Sequence, residues 1–190
     1  MSGDTSKPGN EQLALMIGKR AENLYLTGQL LCSEAVLAVM NRGLGGGLPE
    51  GMDIRLASAL PIGLGNSGCT CGALSGAALA LGLFLGRDCP GAFNGKQAMP
   101  AANLLHNRFK GLFGSTCCRV LTQKLKHNQK EHFKQCGRIT GQTAELATLL
   151  LLEKRPELAD SMDLDYLEAI DSWLGSKFRQ LVNIAGRYGI

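Results

Sequence analysis

Apolar residues recur at helical spacing along most of the chain. Leu13, Ile17 and Leu24 open the pattern, and Gly28 supplies a stop. Ser33 is a good N-cap for the run Ala35, Val36, Leu37 and Val39. Gly43, Gly45, Gly46, Gly47 and Pro49 make the next break, and Asp53 to Leu60 predicts a short helix ending before Pro61. A glycine-rich loop, 63–68, leads into a helix from Gly72 to Leu85, and residues 86–95 read as a loop. Pro100 suits the first turn of a helix reaching Phe113. Ser115 can cap the next helix, which carries Cys117 and Cys118; another is expected to start near Gly137 and carry Ala144, Leu146, Ala147 and Leu149 to Leu152. Asp163 can cap a further helix with Leu167, Ile170 and Leu174 on one face, and after Gly175 a last one uses Phe178, Leu181, Val182 and Ala185. Sustained strand alternation and long-period repeats are both missing from the sequence. The expected fold is all-α: a single helical domain of about seven or eight helices with a C-terminal helical arm. Residues 1–10 read as a flexible N-terminus, 11–155 as the cysteine-bearing helical domain and 156–190 as the arm, with the break at Arg155–Pro156.

Composition narrows this picture. At 190 residues, 45% of them apolar, the chain can bury one real core. Aromatics are 5% while glycine numbers 25, which predicts closely approaching backbones with Leu and Ala between them. The formal charge of +4 is too mild to imply nucleic acid by itself. Arg55 to Arg87 encloses an uncharged stretch, but its helical part, Gly72 to Leu85, has 14 residues, below the roughly 17–25 that cross a bilayer. A buried helix, and no membrane span, is expected. The start, MSGDTSKPGNEQ, has no apolar signal region, so the reading is a reducing, cytoplasmic setting.

In such a setting clustered cysteines bind metal or do redox work more often than they form structural disulfides. There are seven: Cys32, Cys69, Cys71, Cys89, Cys117, Cys118 and Cys136. On the helix map, Cys32, Cys71, Cys118 and Cys136 all fall near expected helix N-termini. Unpaired amide N–H groups and the helix dipole favour thiolate there, and thiolate is both nucleophile and metal ligand. Gly68 and Gly72 would let backbone approach sulfur closely. Cysteine is also a common small core residue. That blander role fits Cys89 in RDCPG, and it stands level with a supporting role for Cys69 and Cys117.

Four stretches, in order, resemble a family of redox-active proteins named for the motif string Cys, Gly-Cys-Ala-x-x-Gly, Cys, Cys. They are Ala21 to Val36 with Cys32, Gly63 to Gly82 with Cys71, GSTCCRVL with Cys118, and CGRITGQTAELA beginning at Cys136. The likeness covers roughly residues 15–153. It departs at Cys71-Gly72-Ala73, where Cys-Gly-Ala replaces Gly-Cys-Ala and Cys69 competes for the slot; Cys117 competes with Cys118. The arm from Pro156 lies outside it. The resemblance implies a helical redox domain, and a related domain in a multihaem cytochrome is thought to hold an iron–sulfur cluster. This chain has no C-x-x-C-H haem motif.

Three chemistries fit. The first is an iron–sulfur cluster on Cys32, Cys71, Cys118 and Cys136, with Cys69 and Cys117 as alternates, for electron transfer. The second is thiol–disulfide exchange through Cys117–Cys118 or Cys69–Cys71. The third is a zinc-stabilised helical binding module with four cysteine ligands. His106, His127 and His132 read as surface or helix-face residues. The segment Arg119 to Arg138 carries six basic residues against Glu131. It reads first as a solvated face, and second as a surface steering an acidic redox partner. Only Phe133 interrupts it as a stacking group, which counts against nucleic acid. In the arm, Leu167, Ile170, Leu174, Phe178, Leu181, Ala185 and Tyr188 recur at three or four; core packing is one reading, and a homodimer anchored by Trp173 the other.

Overall fold

Two helices are drawn together by glycine. Helices α1 (Asn10–Leu26) and α7 (Gln129–Lys154) form the main pair of the fold. A Cβ on Gly18 would lie 2.9 Å from the Gly141 carbonyl oxygen, and one on Gly141 would lie 2.9 Å from that of Gly18. Side chains at that crossing would force the backbones apart. The structure is a computed structural model that describes residues 8–92 and 97–177. Between the pair run α2 (Cys32–Gly43), α3 (Met52–Ala57), α4 (Gly72–Leu85), α5 (Ala98–Phe113) and α6 (Cys118–Thr122); α8 (Leu164–Glu168) follows. The fold is all-α; among the described residues the one extended pairing recorded is an isolated antiparallel bridge, Thr70 with Cys117. Ile17, Leu37, Met40, Leu81, Leu105, Phe109 and Leu150 fill the core. Among the described residues no helix is long and apolar enough to cross a membrane.

Expected stops hold at Gly28, left-handed at φ +68° after the Thr27 C-cap, and at Arg155 before Pro156. Helix α4 spans the expected residues and is largely buried. Three expectations are corrected. Ser33 is not the cap of α2: Leu31 holds that place, its N–H donating to the Glu34 carboxylate at 2.8 Å. Ser33 lies buried within the first turn and donates to the Ala57 carbonyl at 3.0 Å. Helix α7 does not start near Gly137. It starts at Gln129, because the Asn128 side chain accepts the Glu131 N–H at 3.1 Å and caps it. Gly137 is instead a contact point, where a Cβ would meet the Leu26 side chain at 2.6 Å.

The third correction concerns the arm. Asp163 does cap a helix, but α8 ends at Glu168, so the expected stripe is not one face. Leu167 is 4% exposed, whereas Ile170 is 88% and Leu174 74% exposed. The chain beyond α8 docks on α1 through polar groups: Arg20 meets Asp171 at 3.0 Å in a buried ion pair, and Ser176 donates to the Thr27 carbonyl at 2.8 Å. Trp173 is exposed. Phe178, Leu181, Val182, Ala185 and Tyr188 lie outside the described residues, as do residues 1–7 of the expected N-terminal segment.

Candidate functional site

Cys32 is the first residue of α2 and Cys71 the N-cap of α4. What sets them side by side is the Gly72/Gly76 pair on α4. A Cβ on Gly76 would fall 2.4 Å from the Ser33 carbonyl oxygen, so α4 touches the backbone of α2. One turn earlier, a Cβ on Gly72 would fall 2.5 Å from Cys32 Sγ. Glycine therefore does two jobs here, close helix contact and free space against a sulfur.

The loop before Cys71 is strained. Ile62, Gly63, Leu64, Gly65 and Asn66 are all left-handed, with φ of 55°, 70°, 64°, 57° and 68°. Three of these carry side chains, and each such residue costs about 1–2 kcal/mol. The turn closes through Gly68 N–H to the Ile62 carbonyl at 3.1 Å and Cys69 N–H to that of Gly63 at 3.0 Å. Its product is an amide near a sulfur: the Ile62 backbone N–H favours the thiolate of Cys32.

The same loop carries the third cysteine. Cys71 N–H donates to the Thr116 carbonyl at 2.8 Å, Cys118 N–H to Cys69 at 2.6 Å and Arg119 N–H to Gly68 at 3.0 Å. The Arg119 guanidinium adds a bond to the Ser67 carbonyl at 2.8 Å. Cys118, first residue of α6, is thus pinned against the loop, with Gly63 leaving room for its Cβ. Gln135 of α7 donates to the Leu121 carbonyl at 2.7 Å and fixes α6 beside Cys136. Cys136 lies two turns inside α7, so the expected helix start at that cysteine is corrected.

Cys32, Cys71, Cys118 and Cys136 lie in one neighbourhood, near enough that charge on one is felt by others: Cys32 and Cys118 both act on Cys71 and on Cys136, and Cys32 acts on Cys118. Burial pushes all four thiols up, Cys71 to about 12 and Cys136 to about 11, with mutual repulsion adding at Cys71, Cys118 and Cys136. The expected amides are present, from Ile62 and Ser33 at Cys32 and from Ala73 and Leu74 at Cys71, and they pull the other way. Desolvation is the larger effect, so the expected thiolates of the free protein are corrected to thiols at neutral pH.

Cys117 and Cys69 border the quartet: charge on Cys117 is felt at Cys118, and the Cys69 carbonyl accepts the Cys118 N–H. Cys69 is exposed, and Cys117 turns its sulfur to the Gly68 carbonyl at 3.2 Å. Cys89 is exposed in the loop after α4. All seven are free thiols. Among the described residues no three His, Cys, Asp or Glu side chains close on one point as a single metal ion requires. His106 lines an apolar groove with Thr70, Leu74 and Leu79 that holds no cysteine. A cleft of about 720 Å³ between α1, α2 and the 45–54 loop is lined by Arg20, Asn41, Arg42, Asp53 and Tyr166, without a cysteine.

Sequence reasoning missed two aromatics. The Tyr25 hydroxyl sits in hydrogen-bonding reach of the Cys136 thiol, and its ring stacks on Phe133 with centroids 4.9 Å apart. Burial and the neighbouring sulfurs push the Tyr25 hydroxyl pKa up. The one available signal was that Phe133 precedes Cys136 by three residues, the spacing of one helix face, once the true start of α7 is known.

Residues 30–150 match the family model described as "Putative redox-active protein (C_GCAxxG_C_C)", a span that holds all seven cysteines. No curated protein and no solved structure gives a match to the chain.

Proposed function

The chain belongs to that redox-active family, whose model covers well over half of it, and on this premise we propose that it carries electrons on an iron–sulfur cluster held by Cys32, Cys71, Cys118 and Cys136. The observation behind the reading is the mutual electrostatic influence of four thiols from four separate helices, one buried and three partly buried. Four cysteines are the usual complement for a two-iron or four-iron cluster. The donor set fits: soft sulfur, backbone amides aimed at two of the sulfurs, and space beside Cys32 that any side chain at position 72 would fill. A single zinc needs all its sulfurs at about 2.3 Å from one centre. A cluster shares its thiolates among several irons, so its sulfurs need not close on one centre.

Bound there, such a cluster supplies reversible one-electron transfer. The chain's own part is to hold and tune. The raised thiols give up their protons on loading, so loading releases acid. The Ile62, Ser33, Ala73 and Leu74 amides donate to Cys32 and Cys71, and the strained loop keeps the Ile62 N–H in place beforehand. Ala73 and Leu74, next to Cys71 in sequence, and Ile139, one turn after Cys136, are buried. Thiol exchange needs an accessible thiol of low pKa. All four thiols are raised, with Cys71 buried and the other three partly covered, which disfavours them as exchange nucleophiles.

Visible spectroscopy with iron and acid-labile sulfide analysis, on anaerobically purified protein, tests the reading. Broad absorption at roughly 400 nm that bleaches with dithionite, with matched iron and sulfide, is the expected result. Colourless protein that stays iron-free after reconstitution would contradict it.

A further inference from the structure

The quartet has a route to the surface, and that surface is charged. Phe133 stacks on Tyr25, Tyr25 reaches Cys136, and Phe133 is 41% exposed. Packed aromatic side chains thus run without a gap from Cys136 to solvent. Tunnelling decays less steeply through packed atoms than across a gap, so this stack offers a lead from Cys136 to the surface.

Around that exit the charge is one-sided. Residues 119–138 hold Arg119, Lys124, Lys126, Lys130, Lys134 and Arg138, all exposed, and one acid, Glu131, itself paired with Lys134 at 3.0 Å. The segment's net charge is +5 while the whole chain carries +4, leaving −1 for everything else. The chain's net positive charge is therefore concentrated in this segment, where Lys130, Lys134 and Arg138 recur every four residues along α7. Glu22 is the other carboxylate facing it, beside Arg138. Within the face lie exposed apolar side chains, Phe133 and Val120, with Ile62 and Leu64 of the strained loop also exposed next to the quartet. An apolar centre inside a charged rim is the anatomy of a docking surface.

We propose that this face docks an acidic one-electron carrier protein and that the Tyr25–Phe133 stack is the electron lead between the two centres. The inference rests on the cluster reading above. One electron leaves the reduced centre of one protein and enters the oxidised centre of the other; no bond or proton changes hands. The basic rim speeds encounter by field, an effect that falls with salt.

Two measurements test it. In stopped flow, the dithionite-reduced protein is oxidised by ferricyanide, an anion, and by tris(phenanthroline)cobalt(III), a cation. Ferricyanide should react faster at low salt, and the Lys130→Glu, Lys134→Glu double variant should lose about tenfold of that rate; the cationic oxidant should not lose rate. Equal rates for both oxidants in both proteins, with iron content unchanged, would overturn the proposal. Separately, amide shifts of the isotope-labelled protein are followed on adding flavodoxin as an acidic probe. Shifts confined to 119–138 and 62–64 support the docking face; shifts elsewhere, or none, overturn it. Iron analysis of the same samples reads the cluster itself: an iron-free protein brings down the cluster reading, while the flavodoxin shifts still decide the face.

Discussion

Glycine builds two regions of this molecule in opposite ways. At the α1–α7 crossing, Gly18, Gly137 and Gly141 sit inside regular helices and merely remove side chains, so backbones and a leucine pack closely. That contact stabilises the fold and requires no unusual conformation. At the cysteine end, left-handed backbone runs from Ile62 to Asn66, and Gly72 opens space against Cys32 Sγ. There the chain gives up stability to set amides and sulfurs in place. The first region is built for packing, and the second has the marks of a site held in a strained conformation by its surroundings.

The contrast yields predictions of decreasing size. Gly141→Val should be the most damaging, because its Cβ meets the Gly18 carbonyl, which is backbone and cannot turn aside. A loss of about 3 kcal/mol is expected in urea denaturation, with iron per folded molecule unchanged. Gly72→Ala should reverse the pattern: a loss of about 1–2 kcal/mol, but most of the iron gone, because the added methyl would sit 2.5 Å from Cys32 Sγ. If both variants lose iron and stability together, the two regions are not separate in function.

Ile62→Gly comes next and has the opposite sign. The residue is half exposed and left-handed at φ 55°, so glycine relieves about 1–2 kcal/mol of strain and loses part of that to unfolded-chain entropy. A gain of about 0.5 kcal/mol in urea denaturation is expected; a loss would show that the loop is not strained. Tyr25→Phe should be the mildest. It keeps the stack on Phe133 and removes one hydroxyl at Cys136, so the midpoint potential should fall while iron content stays. An unchanged potential in redox titration would mean the hydroxyl does not act on that sulfur.

How much of this was legible depends on whether local chemistry or distant contacts decide. Helix α4 could be read from its uncharged run, and Gly28 and Pro156 from their backbone limits. Gly72 was legible as room beside a sulfur, though not that the sulfur would be that of Cys32 or that Gly76 would touch Ser33. The start of α7 was not legible. Asn128 caps it from within a polar run, and Gly137 looked like a boundary because the Leu26 side chain that fills its place lies more than a hundred residues away. The expectation that Cys136 opens a helix was wrong, since it lies two turns inside α7 and faces the other cysteines from the helix side. Thiolate character was misread for a related cause: helix-end amides are local, whereas burial depends on how the whole fold closes. Tyr25 and Phe133 could not have been paired before the antiparallel docking of α1 on α7 was known.

The most direct test is iron retention across seven single Cys→Ser variants, each checked for folding by circular dichroism. The account predicts loss at Cys32, Cys71, Cys118 and Cys136, and retention at Cys69, Cys89 and Cys117. Full iron in a folded variant of any of the first four, or its loss at Cys69 or Cys117, would contradict the assignment of the quartet.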